Sequence, residues 1–256
     1  ERSKSAVRLT PVGEGIVAQA QKVLEQAQGI RELAQTGKNQ LTAPLKVGAI
    51  YTVGPYLFPH LVPEVQSLAP QMPLYIEENF TETLRLKIRN GELDAIIIAM
   101  PFQEPDVLTR ELYDESFEML LPAEHPWAAC KEVDSTTLSE TQLLLLGEGH
   151  CFRDQVLEAC PTLNQSMHEQ HTVMEGSSLE TIRMMVASGL GASVLPSSAV
   201  QNSHYRSDMV VTRPFKAPGP RRTVAVAWRA SFPRPQAIDV LVQAISRCQL
   251  LGNKGN

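Results

Sequence analysis

The sequence predicts an α/β protein of two lobes, and three observations carry that prediction. From residue 44 onward, short apolar runs of strand type alternate with segments of helical periodicity. The alternation occurs in two successive sets, and a helical segment is left over at the end of the chain. The 256 residues, 43% hydrophobic and 20% charged, are enough to bury more than one modest core. The expected division is lobe I over residues 44–114 plus 222–256 and lobe II over residues 118–216, with a cleft between them as the default ligand site.

The first set begins with a strand at Leu45–Ile50 and a helix from Tyr56 to Leu68, which opens after Gly54-Pro55. A strand at Leu74–Glu77, a helix from Thr81 to Asn90 and a buried strand at Leu93–Ala99 complete it. This β-α-β-α-β order implies a mostly parallel sheet covered by helices. The second set reads as strands at Glu118–Leu121 and Gln142–Leu146, a helix from Phe152 to Ala159, and a strand at Val173–Glu175. A helix from Leu179 to Ser188 and a strand at Ala192–Leu195 close that set. A strand at Thr223–Trp228 and a helix from Gln236 to Leu250 return the chain to the first lobe.

Ahead of the lobes, Ile16, Ala20, Val23, Ala27, Ile30 and Ala34 recur at steps of four and three, the seam of a coiled coil. This linker helix, residues 11–40, is expected to start near Thr10-Pro11, stop near Gly37-Lys38-Asn39 and pair with a second subunit. Residues 1–46 carry seven basic and four acidic side chains, while residues 47–256 carry 16 basic and 24 acidic ones. A basic end on an acidic body points toward nucleic acid or a partner protein.

No apolar run has the length of a membrane helix, and the chain opens without a secretion signal, so a cytoplasmic location is expected. Four cysteines are too few for a disulfide scaffold, and any disulfide in that compartment would be a redox event. Gly-x-Ser-x-Gly, His-Glu-x-x-His and phosphate-loop motifs are absent, so the chain is not expected to be an enzyme. His168-x-x-His171 lacks a second ligand pair, and Gly189-x-Gly191 precedes a strand; neither a metal nor an organic cofactor is expected.

Gly149-His150-Cys151-Phe152-Arg153-Asp154 is the most informative segment. Cys151 stands where a helix should begin, and backbone N–H groups and the helix dipole there stabilise a thiolate. His150 and Arg153 can add positive charge, which Asp154 opposes unless it pairs with Arg153. Cys160 follows nine residues later, beside Pro161. Along a continuous helix their Cα atoms would be roughly 13 Å apart. A disulfide needs about 5.5 Å, so joining the pair requires that helix to unwind. Against this stands the commoner case of inert buried cysteines. Cys248, on the apolar face of the last helix, fits that description, and Cys130, in a loop after His125-Pro126-Trp127, also lacks the surroundings of a reactive thiol.

The segment Arg2-Ser3-Lys4-Ser5-Ala6-Val7-Arg8-Leu9-Thr10-Pro11 resembles the wing and following helix start of LysR-type transcriptional regulators. The seam helix resembles their dimerising linker, and residues 44–256 are similar to their effector domain. That domain has two Rossmann-like lobes of periplasmic-binding-protein type. Thr52-Val53-Gly54-Pro55-Tyr56-Leu57, His125-Pro126-Trp127, the Gly-His-Cys segment and Ser178-Leu179-Glu180-Thr181 resemble the peroxide-sensing branch of the family.

The resemblance implies that Cys151 is oxidised by hydrogen peroxide to a sulfenic acid and that Cys160 resolves it as a disulfide. Thr52, Thr81, His150 and Cys151 would hold the peroxide, with Arg153 and Asp154 in support. Hydroxyls at helix starts also serve as plain N-caps. The expected protein is a transcription regulator, dimeric or tetrameric, whose redox state alters its grip on promoter DNA, with activation and repression both open. The family's helix-turn-helix would precede residue 1, leaving residues 1–10 as a remnant of the wing, in which Arg2, Ser3 and Lys4 contact phosphates. Two alternatives stay open: a family member that takes a small organic effector in the cleft, and a thiol peroxidase.

Overall fold

A computed structural model describes residues 2–3, 6–7, 10–36, 40–159, 174–201 and 209–248. At the N-terminus β1 (Arg2–Ser3) pairs antiparallel with β2 (Ala6–Val7). Helix α1 (Pro11–Thr36) then starts where Thr10 and Pro11 predict. The Thr10 hydroxyl accepts from the Gly13 amide at 3.0 Å, an N-cap, and Pro11 has no amide hydrogen to leave unpaired. The seam residues Ile16, Val23 and Ile30 are exposed along this helix.

The nine strands from β3 to β11 form one sheet, in the order β4-β3-β5-β11-β6-β9-β7-β8, with β10 added beside β6. In the first lobe β3 (Leu45–Ile50) runs parallel to β4 (Leu74–Asn79) and β5 (Ala95–Ala99). Helices α2 (Gly54–Leu68) and α3 (Thr81–Arg89) connect them. In the second lobe β7 (Leu143–Leu146) runs parallel to β8 (Met174–Gly176) and β9 (Ala192–Pro196). Here the helices are α4 (Cys151–Ala159), α5 (Leu179–Ala187) and the short α6 (Ser197–Gln201).

The sheet is more mixed than the β-α-β grammar implies. Strand β11 (Arg221–Arg229) is antiparallel to both its neighbours, and β10 (Val210–Pro214), which the sequence reading leaves out, is antiparallel to β6. Strand β6 (Val107–Pro122) is 16 residues long, whereas only its end, Glu118–Leu121, reads as a strand from sequence. It serves both lobes: residues 107–116 pair with β11, and residues 117–120 pair with β9.

Two cores lie on either side of this crossing. One gathers β3, β5, β11, α2, α3 and the last helix, α7 (Pro235–Arg247), around Leu57, Leu61, Ile97, Val226 and Leu241. The other gathers β7, β9, the end of β6, α4 and α5 around Phe117, Leu144, Phe152, Ile182 and Leu195. Tyr56 belongs to α2 but packs into the second core, where its hydroxyl donates to Glu180 Oε1 at 3.0 Å. Phenolate formation there would bury a charge beside a carboxylate, so burial and then Glu180 hold the Tyr56 pKa well above its ordinary value. That contact fastens the lobes to each other.

Candidate functional site

Three strand-to-helix junctions meet between the lobes. Residues 51–53 leave β3 for α2, Phe80 links β4 to α3, and residues 147–150 leave β7 for α4. All three follow the carboxyl ends of parallel strands, where this architecture places its ligands. The junctions enclose a cavity lined by Ile50, Tyr51, Thr52, Asn79, Phe80, Thr81, Gly149, His150 and Cys151. Thus Thr52, Thr81, His150 and Cys151, which lie up to 99 positions apart in sequence, share one wall-to-wall space.

Its size is restrictive. The centre of a water-sized molecule can occupy a volume of about 10 Å³. That is close to the roughly 10–15 Å³ needed for one water. A larger open cleft of about 620 Å³ is lined by Met100, Ser135, Gln155, Glu158, Arg221 and Thr223 among others, and it shares no wall residue with the small cavity.

The polar groups of the small cavity are of unequal character. Thr52 is buried, and its hydroxyl oxygen accepts a hydrogen bond from Arg222 Nη1 at 2.8 Å. Thr81 opens α3, yet its Oγ1 is buried without a partner and makes no capping bond; the N-cap is Phe80. A buried hydroxyl left unpaired is costly, so such an atom on a cavity wall marks a place for a small hydrogen-bonding molecule. Cys151 is the first residue of α4, half-buried, and it packs against the first lobe's core although its helix belongs to the second.

His150 is buried against aromatic rings, with centroids 4.8 Å from Phe80 and 5.8 Å from Tyr51. Burial holds its pKa below the usual imidazole value, and a backbone hydrogen bond with Ser177 opposes that only in part. Burial therefore disfavours the imidazolium, which weighs against His150 as a source of positive charge beside the thiol. Gly149 before it has φ +91°, and a Cβ there would come within 3.3 Å of the Phe80 ring. The glycine lets the loop close down on that ring.

Arg153 also departs from expectation. It pairs with Glu175 and donates to the Leu146 carbonyl at 2.8 Å, holding α4 to β7 and β8, while Asp154 is exposed. Neither residue lines the cavity. Cys160, the proposed partner of Cys151, lies outside the described residues, as do His168, His171 and Lys4; Arg2 and Ser3 form β1. Cys130 is exposed, and Cys248 follows α7 half-buried, its thiol bonded to the Ala244 carbonyl.

Sequence reasoning missed Arg222 and Glu115. Both are buried, and they form an ion pair with Arg222 Nε on Glu115 Oε1 at 2.7 Å. The signal was available for one of them: Arg222, Val224 and Val226 share one face of β11, and a strand face with two buried valines is a core face.

Comparison with known proteins agrees with this architecture. Residues 38–249 match the LysR substrate binding domain. The Escherichia coli K12 DNA-binding transcriptional dual regulator OxyR is 34% identical over 245 residues, covering 96% of this chain and 79% of that protein. A full-length OxyR variant from Pseudomonas aeruginosa superposes with a TM-score of 0.83 at 71% identity, covering 98% of this chain and 80% of the other. A hydrogen peroxide-bound OxyR variant from Corynebacterium glutamicum gives a TM-score of 0.77 at 29% identity, covering 96% of this chain and 77% of the other. The chain therefore belongs to the LysR family of transcription regulators, with strong homology to the OxyR hydrogen peroxide-inducible gene activators.

Proposed function

We propose that this chain is the linker and regulatory portion of a hydrogen peroxide-sensing transcription activator, working through oxidation of Cys151. The observation that carries the reading is the cavity itself. It has room for a molecule of about water size, and beside Cys151 it presents the oriented hydroxyl of Thr52 and the unpartnered buried hydroxyl of Thr81. Such walls suit H₂O₂, which both donates and accepts hydrogen bonds, and are too close for an organic effector. The peroxide-bound relative from Corynebacterium glutamicum supports the same assignment.

In the proposed reaction the Cys151 thiolate attacks one peroxide oxygen. An S–O bond forms as the O–O bond breaks, sulfur loses two electrons, and the other oxygen leaves as hydroxide and is protonated to water. The Cys160 thiol then displaces water from the sulfenic acid to give the Cys151–Cys160 disulfide. Helix α4 runs unbroken from Cys151 through Ala159, so closing that bond requires it to unwind. Residues from both lobes meet at Cys151, and unwinding there repacks one lobe on the other.

The exposed seam of α1 supports pairing with a second copy, giving a dimer or, with lobe contacts, a tetramer. DNA would be read by a preceding helix-turn-helix, with Arg2, Ser3 and Lys4 near phosphates, in the cytoplasm. Among the described residues no helix is long and apolar enough to cross a membrane. Peptide mapping under non-reducing conditions, after one equivalent of H₂O₂, tests the reading. It should find a Cys151–Cys160 linkage in the native chain and none in Cys151→Ser. Unmodified Cys151 after that treatment would overturn it, and an organic ligand found in the 620 Å³ cleft instead would replace it.

A further inference from the structure

Arg222 spends its donors in an unusual way. Its Nε and Nη2 hold Glu115 Oε1 at 2.7 and 2.6 Å, while Nη1 reaches the Thr52 hydroxyl at 2.8 Å and Nη2 the Thr52 carbonyl at 2.9 Å. Its guanidinium carbon also lies 5.0 Å from the centroid of the Phe152 ring, next to Cys151 in the chain. Glu115 accepts from the Ser198 amide at 3.3 Å through its other oxygen, which ties the pair to α6 of the second lobe. Both side chains are almost wholly buried, where a pair is worth keeping only if its geometry is fixed by further hydrogen bonds.

A guanidinium has no acceptor atom. Once Arg222 donates to Thr52 Oγ1, the threonine hydroxyl cannot turn its own proton toward that arginine. The proton is left for whatever occupies the cavity that Thr52 lines. We infer that Glu115 and Arg222 are positioning residues for peroxide reduction: together they fix Thr52 as a hydrogen-bond donor into the cavity, acting through Thr52. The inference rests on the peroxide-sensing reading and assigns a task within it. In the transition state negative charge develops on the departing oxygen, and a donor already aimed at that atom needs no reorientation as the O–O bond breaks. Because Glu115 is also held by Ser198 of the second lobe, the donor is aimed only while the two lobes keep their present packing.

The experiment measures two rate constants for Cys151: oxidation by H₂O₂, and alkylation by iodoacetamide, which needs the thiolate but no donor for a leaving hydroxide. Native chain, Glu115→Gln, Arg222→Lys, Thr52→Val and the Arg222→Lys/Thr52→Val pair are compared, with circular dichroism to verify folding. Each single change should slow oxidation by about tenfold, the scale of one aligned hydrogen bond, while alkylation stays within about twofold. The double variant should be no slower than Thr52→Val alone. Should Arg222→Lys fail to fold, Glu115→Gln, which preserves shape and removes only the charge, carries the comparison. Parallel loss of both rates would mean that the pair acts on the thiol itself, and multiplying effects in the double variant would mean that Arg222 does not act through Thr52. Either result overturns the inference while leaving the sensing reading intact. A native chain inert to H₂O₂ removes both.

Discussion

Replacing Thr81 by valine should make the reduced protein more stable and a slower sensor. The two side chains are nearly isosteric, and Thr81 makes no capping bond that the change would remove. Its buried Oγ1 has no partner among the described protein groups, so only a small molecule in the cavity can offset the desolvation cost of that hydroxyl. Such a cost is about 1–3 kcal/mol for an unsatisfied buried group. Exchanging hydroxyl for methyl should recover part of it, roughly 1 kcal/mol, which for lobes of this size raises Tm by about 2–4 °C. In the proposed function the same hydroxyl binds peroxide. Loss of one neutral hydrogen bond of about 1 kcal/mol at the reacting molecule slows oxidation about fivefold. Urea unfolding of the reduced protein, followed by circular dichroism, reads the first effect, and the rate of Cys151 oxidation reads the second. A Thr81→Val chain that loses stability by about 1 kcal/mol or more, or oxidises at the native rate, refutes the reasoning.

The aromatic wall sets a size limit, since Phe80 and Tyr51 close over His150. Phe80→Ala should therefore raise the rate with tert-butyl hydroperoxide relative to H₂O₂ by about tenfold or more, and an unchanged ratio would show that Phe80 is no barrier. Burial lowers the His150 pKa, so below about pH 6.5 the unfolded chain takes up a proton that the folded one refuses. The contribution of His150 is present above that pH and is lost as pH falls through the folded value. The native chain should lose stability between pH 7 and pH 5.5 more steeply than His150→Asn, and identical slopes would contradict the assignment. Burial, with Glu64 adding to it, pushes the Cys248 thiol up to about 11, whereas Cys130 is exposed. Iodoacetamide at pH 8 should thus label Cys130 well before Cys248, as mass spectrometry of timed samples would show; the reverse order would be inconsistent with the packing around α7.

Much of the fold is legible in the sequence because its helices and parallel strands bury continuous apolar faces. The start of α1 at Pro11, the strand at Leu45–Ile50 and the opening of α4 at the Gly-His-Cys segment all follow from local residues. Strand β6 does not, because in its first half Val107, Leu112 and Tyr113, which pack on the first core, are scattered among Thr109, Arg110, Glu111 and Asp114, and a register shift opposite Val224 and Ala225 breaks their alternation. Glu115 looks like a surface carboxylate until its partner arrives from β11, 107 positions away. The same long-range closure explains the site. The helix start places Cys151, but only the meeting of the three junctions puts Thr52 and Thr81 around it. His150 could be placed beside the thiol from sequence, yet the burial that disfavours its charged form involves Phe80 and Tyr51, which reach it from the other lobe.

The central claim is that Cys151 meets peroxide in the small cavity and is oxidised there first. The most direct measurement traps that first product. In Cys160→Ser, which cannot close the disulfide, one equivalent of H₂O₂ is followed by a dimedone-type reagent that captures sulfenic acids, and the modified peptides are identified by mass spectrometry. The account predicts capture at Cys151, with Cys130 and Cys248 unmodified. Capture at Cys130 or Cys248 with Cys151 left as a thiol would contradict it.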